Sequence, residues 1–201
     1  PNGTVTVTFT FNARLIRENT SLVVFETLYK DGKELAVHAD INDNGQTVKV
    51  KVPEIGTKAT VDGKKEVTAS GRVKIEDIVS YKNLTPGKEY AVKGVLMNKA
   101  TGEPLLADGK EIRSSFTFKP DKPDGEINIT FVFDASGLKT ATEIVVFETL
   151  YRDGTEIAAH ADLKDEGQTV KITPPTPDNP QTGDNSNLGF WIGLGAVALG
   201  G

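Results

Sequence analysis

Apolar and polar residues alternate with period two over most of this chain. Residues 4–11 (TVTVTFTF), 73–81, 89–97, 111–118 and 126–133 (EINITFVF) follow the pattern of half-buried strands. LTPGK and NKATGEP separate successive runs, with Pro and Gly supplying turn geometry. The apolar run IVVFETLY (144–151) is followed by RDGT, a short hairpin signal. No stretch holds a helical period long enough to predict a helix. Seven or more short strands at this spacing predict an all-β fold, an antiparallel β-sandwich of immunoglobulin-like type with Greek-key connections.

The pattern also repeats. With a shift of 122, the separation of His38 and His160, residues 1–50 lie on 123–172 without a gap, and 27 of the 50 positions are identical. A unit of about 120 residues has the size of one domain. A complete unit is expected over 53–175. Residues 1–52 read as the C-terminal part of a preceding unit, so the chain is expected to begin in mid-domain, and 176–201 read as a tail.

Composition removes several functions. With 23 Lys+Arg against 28 Asp+Glu and a net charge of −5, the chain has no basic run on which to track nucleic-acid phosphates. The absence of cysteine excludes disulfides, thiolate metal sites and a cysteine nucleophile. Histidine chemistry has only His38 and His160 to use. The Pro/Asn/Asp-rich stretch after residue 175 reads as an extended linker. Residues 188–201 are apolar and uncharged but fall short of the about 20 that a spanning helix needs.

Each copy carries His-x-Asp-x-x-Asp-x-x-Gln-Thr: His38, Asp40, Asp43, Gln46 and Thr47, then His160, Asp162, Asp165, Gln168 and Thr169. Twelve residues before each histidine a glutamate, Glu26 or Glu148, interrupts an apolar strand. A carboxylate among Val, Phe and Leu is costly unless paired or protonated. Alternation puts Glu148 opposite Phe147, so an exposed sheet face would also accommodate it. The run from Asp40 to Gly45 imitates a calcium loop, but its twelfth position is Lys51 and the second copy inserts Lys164, so neither metal nor cofactor is predicted. A polar hairpin accounts for the Asp and Gly, but not for a glutamine kept at one offset from one histidine.

VVFETLY, HADxxDxGQT and residues 75–105 together resemble the VaFE-repeat, or Thr–Gln ester-bond, domains of Gram-positive cell-wall-anchored surface proteins. The likeness runs from residue 1 to about 172. It implies a CnaB-like immunoglobulin fold in which a Thr hydroxyl on the first strand and a Gln on the last form an ester, releasing ammonia. Such a reaction occurs once per domain and is self-modification, not enzymatic turnover. Carried onto the complete unit, it implies Gln168 as acyl donor and His160 and Asp165 as acid/base groups. Glu148 becomes the second carboxyl, with Asp134 the alternative. Thr57 becomes the nucleophile, with Thr60 the alternative on the opposite strand face. The first copy keeps Glu26, His38, Asp43 and Gln46 but has no first strand in this chain, and Thr4, Thr6 and Thr8 read as ordinary strand threonines.

NPQTG (179–183), a polar spacer and the apolar run resemble an LPxTG-like sorting signal, with Asn179 in place of Leu and no Lys/Arg cluster following. In that family a sortase cuts between Thr and Gly, here Thr182 and Gly183. The resemblance implies a secreted protein joined covalently to peptidoglycan or a pilus subunit, touching the membrane only transiently through its C-terminal segment. The expected role is a stalk whose missing head domain meets a host-surface ligand. The alternatives are a ligand-binding adhesin domain contacting a host protein or glycan, and a hydrolase or transamidase using His160, which would need an open pocket.

Overall fold

In a computed structural model of the protein, described over residues 2–13 and 16–176, period-two alternation becomes a two-sheet sandwich. The first copy contributes β1 (Thr20–Val23), β2 (Glu26–Lys30), β3 (Lys33–His38) and β4 (Thr47–Val50). The complete unit begins with β5 (Glu54–Val61), β6 (Glu66–Thr68), β7 (Arg72–Lys82) and β8 (Tyr90–Asn98). Short strands β9 (Glu103–Pro104), β10 (Leu106–Ala107) and β11 (Lys110–Glu111) follow, then β12 (Arg113–Phe118) and β13 (Gly125–Asp134). It closes with β14 (Thr142–Arg152), β15 (Thr155–His160) and β16 (Thr169–Thr173). One sheet has the order β13-β7-β5; the other runs β12-β8-β14-β16-β6, with β15 on β14 and β9 on β8. Among the described pairs only β6 and β16 run parallel. The RDGT hairpin forms between β14 and β15, with positive φ at Asp153 (50°) and Gly154 (72°), as a tight two-residue hairpin turn requires.

The inner faces are the apolar phases of the strands. Val73, Ile75, Asp77, Val79 and Tyr81 of β7 are all buried, while the residues between them are exposed or half-buried. Two apolar clusters result. One gathers Ile75, Leu96, Phe131, Val146 and Ile172; the other gathers Val79, Tyr90, Val92, Ile129 and Leu150. Asp77 lies between Ile75 and Val79 on β7, and Glu148 between Val146 and Leu150 on β14. A polar layer therefore separates two apolar ones. Tyr81 and Tyr90 belong to the second cluster.

Residues 4–11 depart from expectation: they form no strand, and Val5 is 86% and Phe9 60% exposed. Their copy, β13, is paired along its whole length with β7. Within this chain residues 4–11 have no counterpart of β7, and an extended segment without a ladder partner leaves its amides to water. Thr4, Thr6 and Thr8 are thus exposed threonines of an unpaired segment, not strand residues.

Gly94 of β8 stands opposite Glu148, beneath the ring of Phe131. A Cβ there would meet Phe131 Cζ at 2.5 Å. Gly94→Ala is expected to cost about 1–3 kcal/mol by overpacking, read from denaturant unfolding. Trimming the ring with Phe131→Leu in the same molecule is expected to make the two losses less than additive.

Candidate functional site

Thr57 occupies the same phase of β5 as Ala59 and Val61, both core residues, so its side chain faces inward. Its backbone N–H donates to His160 Nδ1 at 3.1 Å. Thr60 lies in the other phase, its hydroxyl directed to the Glu76 carbonyl at 3.5 Å.

The acyl side is built by the turn between β15 and β16. Asp162 Oδ1 accepts the Lys164 N–H at 2.9 Å, and the Asp162 carbonyl accepts the Asp165 N–H at 3.1 Å. Asp165 Oδ1 then accepts the N–H groups of Gly167 (2.6 Å) and Gln168 (3.3 Å), while its Oδ2 lies 2.9 Å from His160 Nε2. With Nε2 bonded to a carboxylate, Nδ1 is the unprotonated acceptor that meets Thr57. A Cβ at position 167 would come within 2.8 Å of Asp165 Oδ1, so glycine leaves that carboxylate free to hold the turn. The turn sends Gln168 into the core at 0% exposure. Its Nε2 donates to the Val146 carbonyl (2.6 Å), Glu148 Oε2 (3.0 Å) and the His160 carbonyl (3.1 Å), two hydrogens divided among three acceptors.

Glu148 turns inward and not toward an exposed face, and it too has 0% exposure. Burial, then the neighbouring charge of Asp77, pushes its carboxyl up to about 10; Thr57 and Gln168 oppose this only in part. Asp77 is likewise raised by burial, against the pull of Glu148, His160, the Lys58 amide and Lys65. Two carboxyls this close in a dry interior cannot both ionise, so at neutral pH one proton is shared across the pair. The Thr57 hydroxyl lies near enough to steady a charged Glu148, yet satisfies no hydrogen bond. Among the described residues, six buried side-chain oxygens reach no donor at full hydrogen-bond geometry: Gln46 Oε1 and five from Thr57, Asp77, Glu148 and Gln168. Orphaned polar atoms are rare in native interiors, and their concentration at one point marks a place built for something besides packing.

Sequence reading overlooked Asp77. The signal was present, because in RVKIEDIVSYK Asp77 falls on the apolar phase of Val73, Ile75, Val79 and Tyr81. Asp134, the alternative second carboxyl, is exposed at the end of β13, where its Oδ1 accepts the Ser136 N–H at 2.8 Å and caps a short 3-10 turn. It is no part of the site.

The first copy reproduces the acyl side alone. Gln46 Nε2 donates to Glu26 Oε2 (2.7 Å) and the His38 carbonyl (3.3 Å), and His38 Nε2 lies 2.8 Å from Asp43 Oδ2. No strand among the described residues covers Glu26, which is exposed. Among the described residues no three His, Asp or Glu side chains are grouped to hold a metal ion. Thr182 and Gly183 lie outside the described residues.

A solved bacterial adhesin from Mobiluncus mulieris, containing intramolecular disulfide, isopeptide and ester bond cross-links, superposes with a TM-score of 0.54 at 22% identity, in two crystal forms. The match covers 62% of this chain and 58% of that one, and it supports the immunoglobulin-like sandwich. A glycosyl hydrolase family 2 member from Bacteroides cellulosilyticus covers 63% of this chain and 15% of its own, at 11% identity and a TM-score of 0.40. No curated protein matches the sequence. The model of the T-Q ester bond containing domain matches residues 1–50 and 53–172, and with the Thr57 hydroxyl and Gln168 buried at one site this chain belongs to that family.

Proposed function

We propose that the complete unit cross-links itself through an ester between Thr57 Oγ1 and Gln168 Cδ. The observation that carries this reading is the burial of an unbonded hydroxyl, a glutamine amide and a proton-sharing carboxyl pair in one layer. The hydroxyl is a poor nucleophile until it loses its proton; Glu148 beside it takes that proton as its own passes to Asp77, the ionised member of the pair. The amide oxygen has no partner in the resting site, and the proton held by the pair is available to the charge that develops there. Collapse breaks the C–N bond, and the NH2 group leaves as ammonia with the proton the hydroxyl gave up. His160 and Asp165, expected from resemblance as acid/base groups, position Thr57 through its amide and hold the turn that presents Gln168. Fixing both partners replaces an encounter by an intramolecular step, and the apolar layers above and below exclude the water that would hydrolyse the product. The reaction happens once per domain.

In the same reading the unit is a stalk segment of a bacterial surface protein. Thr57 and Gln168 lie near opposite ends of the domain's sequence, so tension along the chain passes through the ester and bypasses the strands between. Attachment to peptidoglycan or a pilus subunit through a sortase acting at Thr182–Gly183, and a head domain meeting a host ligand, complete the proposal.

Intact mass of the full chain is expected to fall one ammonia below the sequence mass. Thr57→Val, Gln168→Ala and Asp77→Asn should each restore the full value. Ammonia loss surviving Thr57→Val but abolished by Thr60→Val would transfer the nucleophile to Thr60.

A second outcome concerns pH. Glu148 holds its proton in the fold up to about 10 but releases it near 4.5 when unfolded, so the folded state binds the extra proton between those values. Its contribution is present in full below 4.5 and is lost as pH rises toward about 10. In the uncross-linked Thr57→Val protein, Tm should fall across that window, and adding Glu148→Gln should flatten the fall.

A further inference from the structure

We propose that Lys65 is a positioning residue for cross-linking: its ammonium ties the strand that carries Thr57 to the turn that carries Gln168. The inference rests on the ester reading and adds a residue that neither the repeated motif nor the carboxyl pair contains. Lys65 stands just before β6, with an exposed stem, and its Nζ donates to main-chain carbonyls of both reacting segments. On β5 it reaches Ala59 O at 2.8 Å, two residues beyond Thr57. On the turn it reaches Gly167 O at 2.6 Å, Glu166 O at 3.1 Å and Thr169 O at 3.2 Å, the residues flanking Gln168.

An ammonium has three hydrogens, so these four oxygens share them and the group is saturated as a donor. The convergence is not incidental to the turn. Thr169 closes it by donating its N–H to Glu166 O (3.3 Å) and its hydroxyl to Asp165 O (2.7 Å), which leaves carbonyls pointing one way with partial negative charge. A cation is the natural complement to such a cluster. The neighbouring main chain runs through the same point: Ala59 N–H donates to Gly167 O at 3.0 Å, and Lys171 N–H donates to the carbonyl of Lys65 at 2.8 Å. One side chain therefore fixes the spacing of β5, β6 and the Gln168 turn together. The charges facing it are Lys58 on β5, Asp77 on β7, and Asp165 and Glu166 in the turn. Among the described residues, no acidic side chain bonds to Nζ in place of the carbonyls.

Without the tether, Gly167 O keeps only the Ala59 amide, and the turn is free to shift relative to β5. A misplacement of an ångström between reacting groups costs up to about a hundredfold in rate.

The test follows ammonia loss by intact mass in time-resolved cell-free synthesis of the full chain. Lys65→Met is expected to cross-link at least about tenfold more slowly than the parent, whereas Lys65→Arg, whose guanidinium offers donors to the same carbonyls, should stay within about threefold. Stability is checked separately by Tm in the Thr57→Val background, where Lys65→Met must remain folded at the assay temperature. Should it unfold, Lys65→Gln, an uncharged donor of similar length, takes its place with the same slowing expected. A folded uncharged variant that cross-links at the parental rate overturns the inference, as does Lys65→Arg failing to recover the rate. Absence of ammonia loss from the parent would instead overturn the ester reading, so the two failures are distinct.

Discussion

Asp77 and Glu148 meet across the two sheets with no solvent to share their charge, and much of the surrounding architecture follows from that contact. Each sits in the apolar phase of a long central strand, so neither can turn outward without taking Ile75 and Val79, or Val146 and Leu150, with it. Desolvation penalises both anions, and keeping one proton between them is the cheaper state. The arrangement lets a single layer offer an acid and a base at neutral pH. It also explains why a sandwich of this size has two apolar clusters and not one continuous core.

The sequence made the strand pattern, the duplication and the turn chemistry legible because each is local. Alternation identifies β7, β8 and β13 to within a residue, the apolar run locates β14 to within two, and the offset between His38 and His160 isolates the segment that presents glutamine. Glu148 was visible as a carboxylate among apolar neighbours, but periodicity alone left its direction open. Asp77 and Lys65 were harder for a shared reason. Both lie between residues 53 and 122, the part of the unit present only once in this chain, so no second copy drew attention to them. Lys65 depends further on carbonyls about a hundred residues away, which no spacing rule exposes. Residues 4–11 fail in the opposite direction: their alternation is as good as that of β13, yet within this chain they have no counterpart of β7 to pair with. Strand propensity describes a surface that fits a sheet, and it does not supply the sheet.

The two copies separate what is local in the site from what is not. Glutamine, histidine and aspartate adopt nearly the same hydrogen bonds in both, so the β-hairpin and its turn suffice to orient the amide. What the first copy lacks is cover: Glu26 is exposed, and the strands equivalent to β5, β7 and β8 are absent from this chain. Dryness, the carboxyl partner and the hydroxyl all arrive with those strands. Chemistry that needs all three must wait until both sheets have closed. A bond made at that point cannot trap a misfolded chain, because the misfolded chain has not assembled the means to make it. Enclosing about 100 residues, such a cross-link stabilises by about 4–5 kcal/mol in the loop-entropy description. That stabilisation falls only on molecules that have already reached the native fold.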